Sequence, residues 1–281
     1  MSGRILLLLA MLFSQTALAV DTHDKIRKSG VITIAHPANT PPFSFMDGGE
    51  PTGYSINLCR QVVDNMALQL GMQQIRINWR TASTPDALQL VADGSVDMSC
   101  GTTSITLSRQ EKVDFSNEIY VATGGLLVNS RSGISNLAGL NDKRIAVIRG
   151  TTTQGRLSTA LGQRGLRAIL VPVSNTDEGM QALGSGKADA YATDREILLG
   201  YLKASGDSSS RYALLAELFS VDPYALALPR GDTDFRLAVN RGLSDVYRNA
   251  SLDDVFGRWF GPGAEPSHSL RTIYLLNSYQ D

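Results

Sequence analysis

Cys100-Gly-Thr-Thr-Ser-Ile-Thr-Leu-Ser-Arg-Gln-Glu-Lys-Val-Asp-Phe-Ser116 is the stretch on which the fold turns. Residues 96–100 form a short apolar run that reads as a buried strand, and 101–104 as the polar turn leaving it. Ser108 then stands where a helix N-cap would, ahead of a single turn carrying Arg109. Such a turn gathers donors into one small space. The hydroxyls of Thr102, Thr103 and Ser104 can each donate and accept, and the Arg109 guanidinium is a planar fork that matches a carboxylate with two parallel hydrogen bonds. The arrangement suits a small carboxylate. The same residues also fit an ordinary turn with Arg109 paired at the surface to Glu111 or Asp114.

Working outward, six more segments stand in order along the chain: Lys28-Ser-Gly-Val-Ile-Thr-Ile-Ala-His36, Pro42-Phe-Ser-Phe-Met-Asp47, Gly53-Tyr-Ser55, Gly94-Ser-Val-Asp97, Gly150-Thr-Thr-Thr153 and Gly186-Lys-Ala-Asp-Ala-Tyr-Ala-Thr-Asp194. With the small-hydroxyl turn, the arginine five residues beyond Ser104 and Val113-Asp-Phe-Ser116, the sequence resembles the periplasmic solute-binding proteins for polar amino acids, family 3 of the ABC-importer receptors. The resemblance covers roughly residues 24–262 and is nearest to the glutamate/aspartate-binding branch. It implies an α/β chain with the two-lobed type II periplasmic binding protein fold, two α/β domains joined by two crossing segments with the ligand cleft between them. Lobe 1 would comprise 20–123 plus 225–281 and lobe 2 would comprise 124–224. It further implies that Thr102, Ser104 and Arg109 hold the ligand's α-carboxylate, that Thr151 or Thr152 reaches the same group from the other lobe, and that Asp194 binds the α-ammonium. A pair with Arg195, or a helix N-cap, is the alternative for Asp194. The expected protein is a monomer without cofactor that carries an amino acid or related small carboxylate to an inner-membrane ABC permease.

Other parts of the chain set the compartment. Arg4, an apolar run over 5–13 and Ala17-Leu-Ala19 have the form of a secretory signal peptide cleaved after Ala19, with a run too short to span a membrane. Val20 follows that site, so no lipid-bearing cysteine does. The periplasm is the expected location. The formal net charge of −1 and the scattered basic residues suggest neither nucleic acid nor an anionic membrane surface as partner. Cys59 and Cys100 are the only cysteines, and export permits either a disulfide or two buried thiols. The three histidines are scattered and no spacing fits zinc, so no metal is expected.

The pattern also contains an echo. A helix over 85–92 ends at Gly94 and leads to a strand finishing at Cys100-Gly-Thr102. A helix over 176–183 ends at Gly186 and leads to a strand, 190–192, finishing at Thr193-Asp194. Ligands in open α/β sheets bind beyond the carboxyl ends of strands, so the echo points to a cleft between two lobes. Strands are further expected at 31–35, 75–79, 124–129, 143–148 and 224–228, and helices at 56–70, from 150, and at 234–247. Backbone N–H groups and hydroxyls at 150–153 suit an anion, without the Gly-x-x-x-x-Gly-Lys of a phosphate loop. Phe43 and Phe45 fit either core or a wall against the ligand's aliphatic part. The segment after Gly263 carries no readable signal.

The resemblance departs at the side-chain pocket. Positions where the glutamate/aspartate branch places two arginines and a histidine hold Pro37, Ala87 and Thr176 here, and Thr84 lies beside them. A carboxylate buried without partners costs several kcal/mol, so a neutral side chain is expected unless Arg80 or Arg149 reaches in. Two competing functions keep the scaffold: a cyclohexadienyl dehydratase-like enzyme, with Asp222 beside Pro223 where a catalytic carboxylate would fall, and a receptor for a membrane sensor.

Overall fold

A computed structural model describes residues 21–205, 211–249 and 251–279; the expected signal peptide lies outside them. Asp21 caps α1 (Thr22–Ser29), and β1 (Val31–His36) follows. A small three-stranded meander comes next, β2 (Asn39–Thr40), β3 (Ser44–Asp47) and β4 (Glu50–Thr52). Then come α2 (Tyr54–Gln69), β5 (Arg76–Thr81), α3 (Thr84–Ala92), β6 (Met98–Ser99) and the single turn α4 (Leu107–Gln110). Thr106, not Ser108, caps that turn, its hydroxyl accepting from the Arg109 N–H at 3.1 Å. The expected strand at 96–100 contracts to two residues, because the Val96 and Asp97 N–H groups donate singly to the carbonyls of Leu90 on α3 and Thr33 on β1 instead.

The strand expected at 124–129 is the far half of a longer one, β7 (Asp114–Asn129), about 50 Å at ~3.3 Å per residue. After a 3₁₀ turn (Leu137–Leu140) the order is β8 (Arg144–Ile148), α5 (Thr152–Gln163), β9 (Ile169–Val173), α6 (Thr176–Gly184), β10 (Ala190–Asp194), α7 (Arg195–Ser205), β11 (Tyr212–Leu214), β12 (Ser220–Leu228), α8 (Thr233–Arg248), α9 (Ser251–Phe260) and α10 (His268–Leu276).

The large sheet runs β5-β1-β6-β12-β7-β10-β8-β9, with β11 added along β7. Its two flanks are parallel, β5-β1-β6 in the first lobe and β10-β8-β9 in the second. Antiparallel β7 and β12 cross between them as a two-stranded ribbon, paired from Ser220↔Gly124 to Leu228↔Asp114 with register shifts around Tyr224 and Ala225. Strand periodicity sorts the second lobe's core onto two faces. Leu126, Val128 and Ile145 pack with Leu157 under α5, whereas Leu127, Ala146 and Tyr191 pack with Leu183 and Leu198 under α6 and α7. The first lobe buries Ile32, Ile34, Leu58, Met66, Phe235 and Val239 on one face and Ala35, Ala87 and Val91 on the other.

Two features tie the first lobe. Cys59 on α2 and Cys100 after β6 form a disulfide, fixing the turn that leads into Thr102. The segment without a readable signal forms α10, whose Leu270 and Tyr274 are buried. Tyr274 donates from its hydroxyl to the Ile119 carbonyl at 3.0 Å and lies 2.6 Å from the Tyr54 hydroxyl.

Candidate functional site

Each parallel strand delivers its carboxyl end to one cleft between the lobes, of about 600 Å3. The first lobe contributes Pro37 after β1, Thr81 at the end of β5 and Ser83 beyond it, and Thr102 and Ser104 after β6; the second contributes Arg149 and Thr151 after β8, Asn175 after β9, and Thr193 and Asp194 at the end of β10. The chain rule for open α/β sheets therefore operates twice, from opposite sides of one space.

The carboxylate-binding residues converge. Arg109 Nη1 donates to the Ser104 carbonyl at 2.7 Å, which folds the arginine back over its own turn and leaves the rest of the fork to the cleft. Burial lowers the Arg109 pKa from its usual value, and the charges of Asp222, Tyr224 and Asp194 offset part of that. The guanidinium remains a cation, as arginine does in proteins. Thr102 Oγ1 lies 3.4 Å from Thr84 Oγ1. Across the cleft, Ser104 Oγ lies 3.0 Å from Thr152 Oγ1, so the small-hydroxyl turn of one lobe touches the helix start of the other. The Thr151 hydroxyl is occupied, donating to the Ile148 carbonyl at 2.7 Å while capping α5 through the Gln154 N–H. Thr152, at the first turn of that helix, is the hydroxyl of the pair that meets the other lobe, through Ser104.

Asp194 is 8% exposed and accepts a hydrogen bond from the Tyr224 hydroxyl. It pairs neither with Arg195, which donates to the Leu215 carbonyl, nor with any other cation among the described residues. Burial pushes its carboxyl up to about 7; the Tyr224 hydrogen bond pulls it back, Glu196 and Asp222 push it further up, and Arg109 lowers it. The site therefore holds a fixed cation, Arg109, and a buried carboxyl without a counter-cation, Asp194, on opposite walls. A zwitterion with its charges one atom apart complements such a pair.

A model for bacterial extracellular solute-binding proteins, family 3, matches residues 32–262. The chain belongs to that family. It is 26% identical over 241 residues to the L-glutamate/L-aspartate-binding protein of Pseudomonas aeruginosa, a match spanning 85% of this chain and 80% of that one. Among solved structures, an ancestral arginine-binding protein bound to arginine is similar at 25% identity and a TM-score of 0.72, over 83% of this chain and 99% of that one. An ancestral amino-acid-binding protein described as a precursor of cyclohexadienyl dehydratase is similar at 26% identity and a TM-score of 0.74, over 85% and 99%. The fold is that of the type II periplasmic amino-acid-binding proteins.

The side-chain end of this family 3 cleft differs from expectation. Phe43 is fully buried and packs edge-on against Tyr54, Tyr120, Tyr224 and Phe260, so it is hinge-side core rather than a ligand wall. Phe45 packs edge-on against Trp259, away from the cleft. Thr176 and Ala87 are also fully buried and do not line it: Ala87 turns inward on a helix whose first residues, Thr84 to Asp86, face the cleft, and Thr176 turns inward directly after the lining residues Ser174 and Asn175. Pro37 and Thr84 do line it, as does Arg149, whereas Arg80 lies outside. Sequence reasoning missed Asn39, Thr81, Ser83, Asp86, Ser174, Asn175, Thr193 and Ile197. Thr81 and Thr193 lie at strand ends and Ser83, Ser174 and Asn175 follow one within two residues, so the carboxyl-end rule, applied to every strand, would have found those; Asn39 opens β2, and Asp86 and Ile197 lie on helices.

Further contacts join the lobes. Asn39 Nδ2 donates to Asp177 Oδ2 at 2.9 Å, and Gly200 of α7 approaches the Pro41 carbonyl so closely that a Cβ there would lie 2.4 Å from its oxygen. The described conformation is the closed one. Among the described residues no helix is long and apolar enough to cross a membrane.

Proposed function

We propose that this protein is the periplasmic receptor of an ABC importer, binding an amino acid or related small carboxylate between its lobes and delivering it to a membrane permease. The observation that carries the proposal is the opposition of Arg109 and Asp194, contributed by different lobes to one cleft. In this reading Arg109, Thr102 and Ser104, with Thr152 and the N-terminus of α5 opposite, take the α-carboxylate, and Asp194 takes the ammonium. Residues 1–19 direct export, lobe 1 is 20–123 with 225–281, lobe 2 is 124–224, and the receptor works as a monomer without catalysis. Relatives that are importer receptors support it, among them the glutamate/aspartate import protein of Escherichia coli.

The enzyme alternative draws on the likeness to a dehydratase precursor. Against it, Asp222 of the second crossing is 1% exposed, lies 3.4 Å from Arg156 Nε, and is absent from the cleft lining. A carboxylate held by an arginine behind the wall has no route to a substrate proton. The test is calorimetry of the purified protein against the amino acids, with arogenate and prephenate monitored for turnover. Saturable binding of an amino acid without turnover is expected; consumption of either substrate, abolished in Asp222→Asn, would establish the enzyme instead.

A further inference from the structure

Four charged side chains line the cleft among the described residues: Arg109 and Asp194, which form the frame above, and Asp86 and Arg149. Asp86 stands in the first turn of α3 and Arg149 follows β8, so they come from opposite lobes. Their chain neighbours lie close together, since a Cβ on Gly150 would be 3.5 Å from Pro85 Cγ, which places the two residues at the same end of the closed cleft. Asp86 takes one hydrogen bond, from the Ser83 hydroxyl at 2.6 Å, which leaves its carboxylate with acceptor capacity. The Arg149 guanidinium has no partner among the described residues, and the two are not ion-paired with each other. The Arg149 N–H donates to the Val173 carbonyl at 3.0 Å, which seats the residue beside Ser174 and Asn175, both of the lining.

Resting on the amino-acid reading, we propose that Asp86 and Arg149 form a second recognition end that selects amino acids whose side chains finish in a net-neutral dipolar group, a carboxamide or ureido. Charge balance gives the reason. An acidic side chain satisfies Arg149 but faces Asp86, and a basic one satisfies Asp86 but faces Arg149. A group with N–H donors and a carbonyl presents the donor to Asp86 and the acceptor to Arg149. In this proposal the ligand's side chain is neutral because a pair of charges balances, not because the wall is uncharged.

The test is calorimetry with glutamine, citrulline, glutamate and arginine on the wild type, Asp86→Asn and Arg149→Gln, each variant first checked by thermal unfolding. Wild type should bind glutamine or citrulline tightest. Asp86→Asn should improve glutamate relative to citrulline, and Arg149→Gln should improve arginine relative to citrulline, each by about twofold to fivefold, the range of solvent-accessible charge interactions. Arg149 is exposed and outside any helix, so its variant stands even where loss of the Asp86 bond to the capping Ser83 impairs folding. Tightest wild-type binding of glutamate or arginine, or variants that move all four ligands together as a simple closing latch would, overturns the role of this pair. Failure of every amino acid to bind overturns the amino-acid reading with it.

Discussion

Tyr224, on the returning crossing strand, donates its hydroxyl hydrogen to Oδ2 of Asp194 at the end of β10. The bond joins the hinge to the carboxyl that faces the ligand's ammonium in the proposed frame. Burial holds that carboxyl's titration near neutrality although the bond draws it down, with two consequences of opposite sign.

With its pKa near 7 in the ligand-free chain, raised from an unfolded value near 4, Asp194 binds more protons folded than unfolded across that interval. Its contribution to stability is therefore complete below about pH 4 and lost as the pH rises through about 7. An ammonium ligand prefers the ionised carboxyl. Amino-acid affinity should fall below pH 7, approaching about tenfold per pH unit, while a 2-hydroxy acid of the same skeleton shows no such loss. Calorimetry from pH 5 to 8 checks this, and an affinity flat over that range would remove Asp194 from the ammonium site.

Arg109→Ala should abolish measurable binding with little change in thermal stability. A charge-assisted fork contributes about 1.5–3 kcal/mol, roughly ten- to a hundredfold in affinity, and its loss strands a desolvated carboxylate. Wild-type affinity in the variant would refute the role.

Gly200→Ala tests closure without touching a ligand group. The added methyl meets the Pro41 carbonyl only when the lobes are shut. Affinity should weaken by several-fold to about tenfold, with the apparent constant scaling as the fraction of closed chain. Small-angle scattering should show a smaller radius of gyration with saturating ligand in wild type and a blunted change in the variant. Equal contraction in both would mean that the Pro41 contact adjusts at no cost.

Removing the disulfide with paired Cys59→Ser and Cys100→Ser substitutions should cost about 2–5 kcal/mol, because the bridge closes a loop across 41 residues. Denaturant unfolding reads the loss. Affinity should fall less than for Arg109→Ala, since the bridge supports Thr102 only through the turn.

Much of this architecture was legible in the sequence because it rests on local signals. Periodicity and caps placed α2, α3, α6 and α8 to within a few residues, and the echoed helix-to-strand units located Thr102 and Asp194 at strand ends. Pairing of Cys59 with Cys100 could not be read, since it depends on how α2 lies against β6. Which aromatic faces the cleft was equally hidden, because Phe43 is claimed by four rings distant in sequence. Side-chain pocket positions transferred by spacing land on buried Ala87 and Thr176, one residue beyond the lining residues Asp86 and Asn175, and a single step at a helix start turns a side chain from cleft to core. α10 escaped notice although Leu270, Ile273 and Tyr274 stand at helical intervals behind the Ser267 cap.

The ribbon of β7 and β12 has a consequence for how the chain comes apart. A loop hinge lets two bodies melt one after the other, but β7 is a structural strand of both flanks, bonded to β12 at one end and to β10 and β11 at the other. Unravelling either flank strips hydrogen bonds from a strand on which the other depends. Folding of the lobes should consequently be cooperative, with one calorimetric transition whose van't Hoff and measured enthalpies agree, despite the chain passing twice between two separate cores.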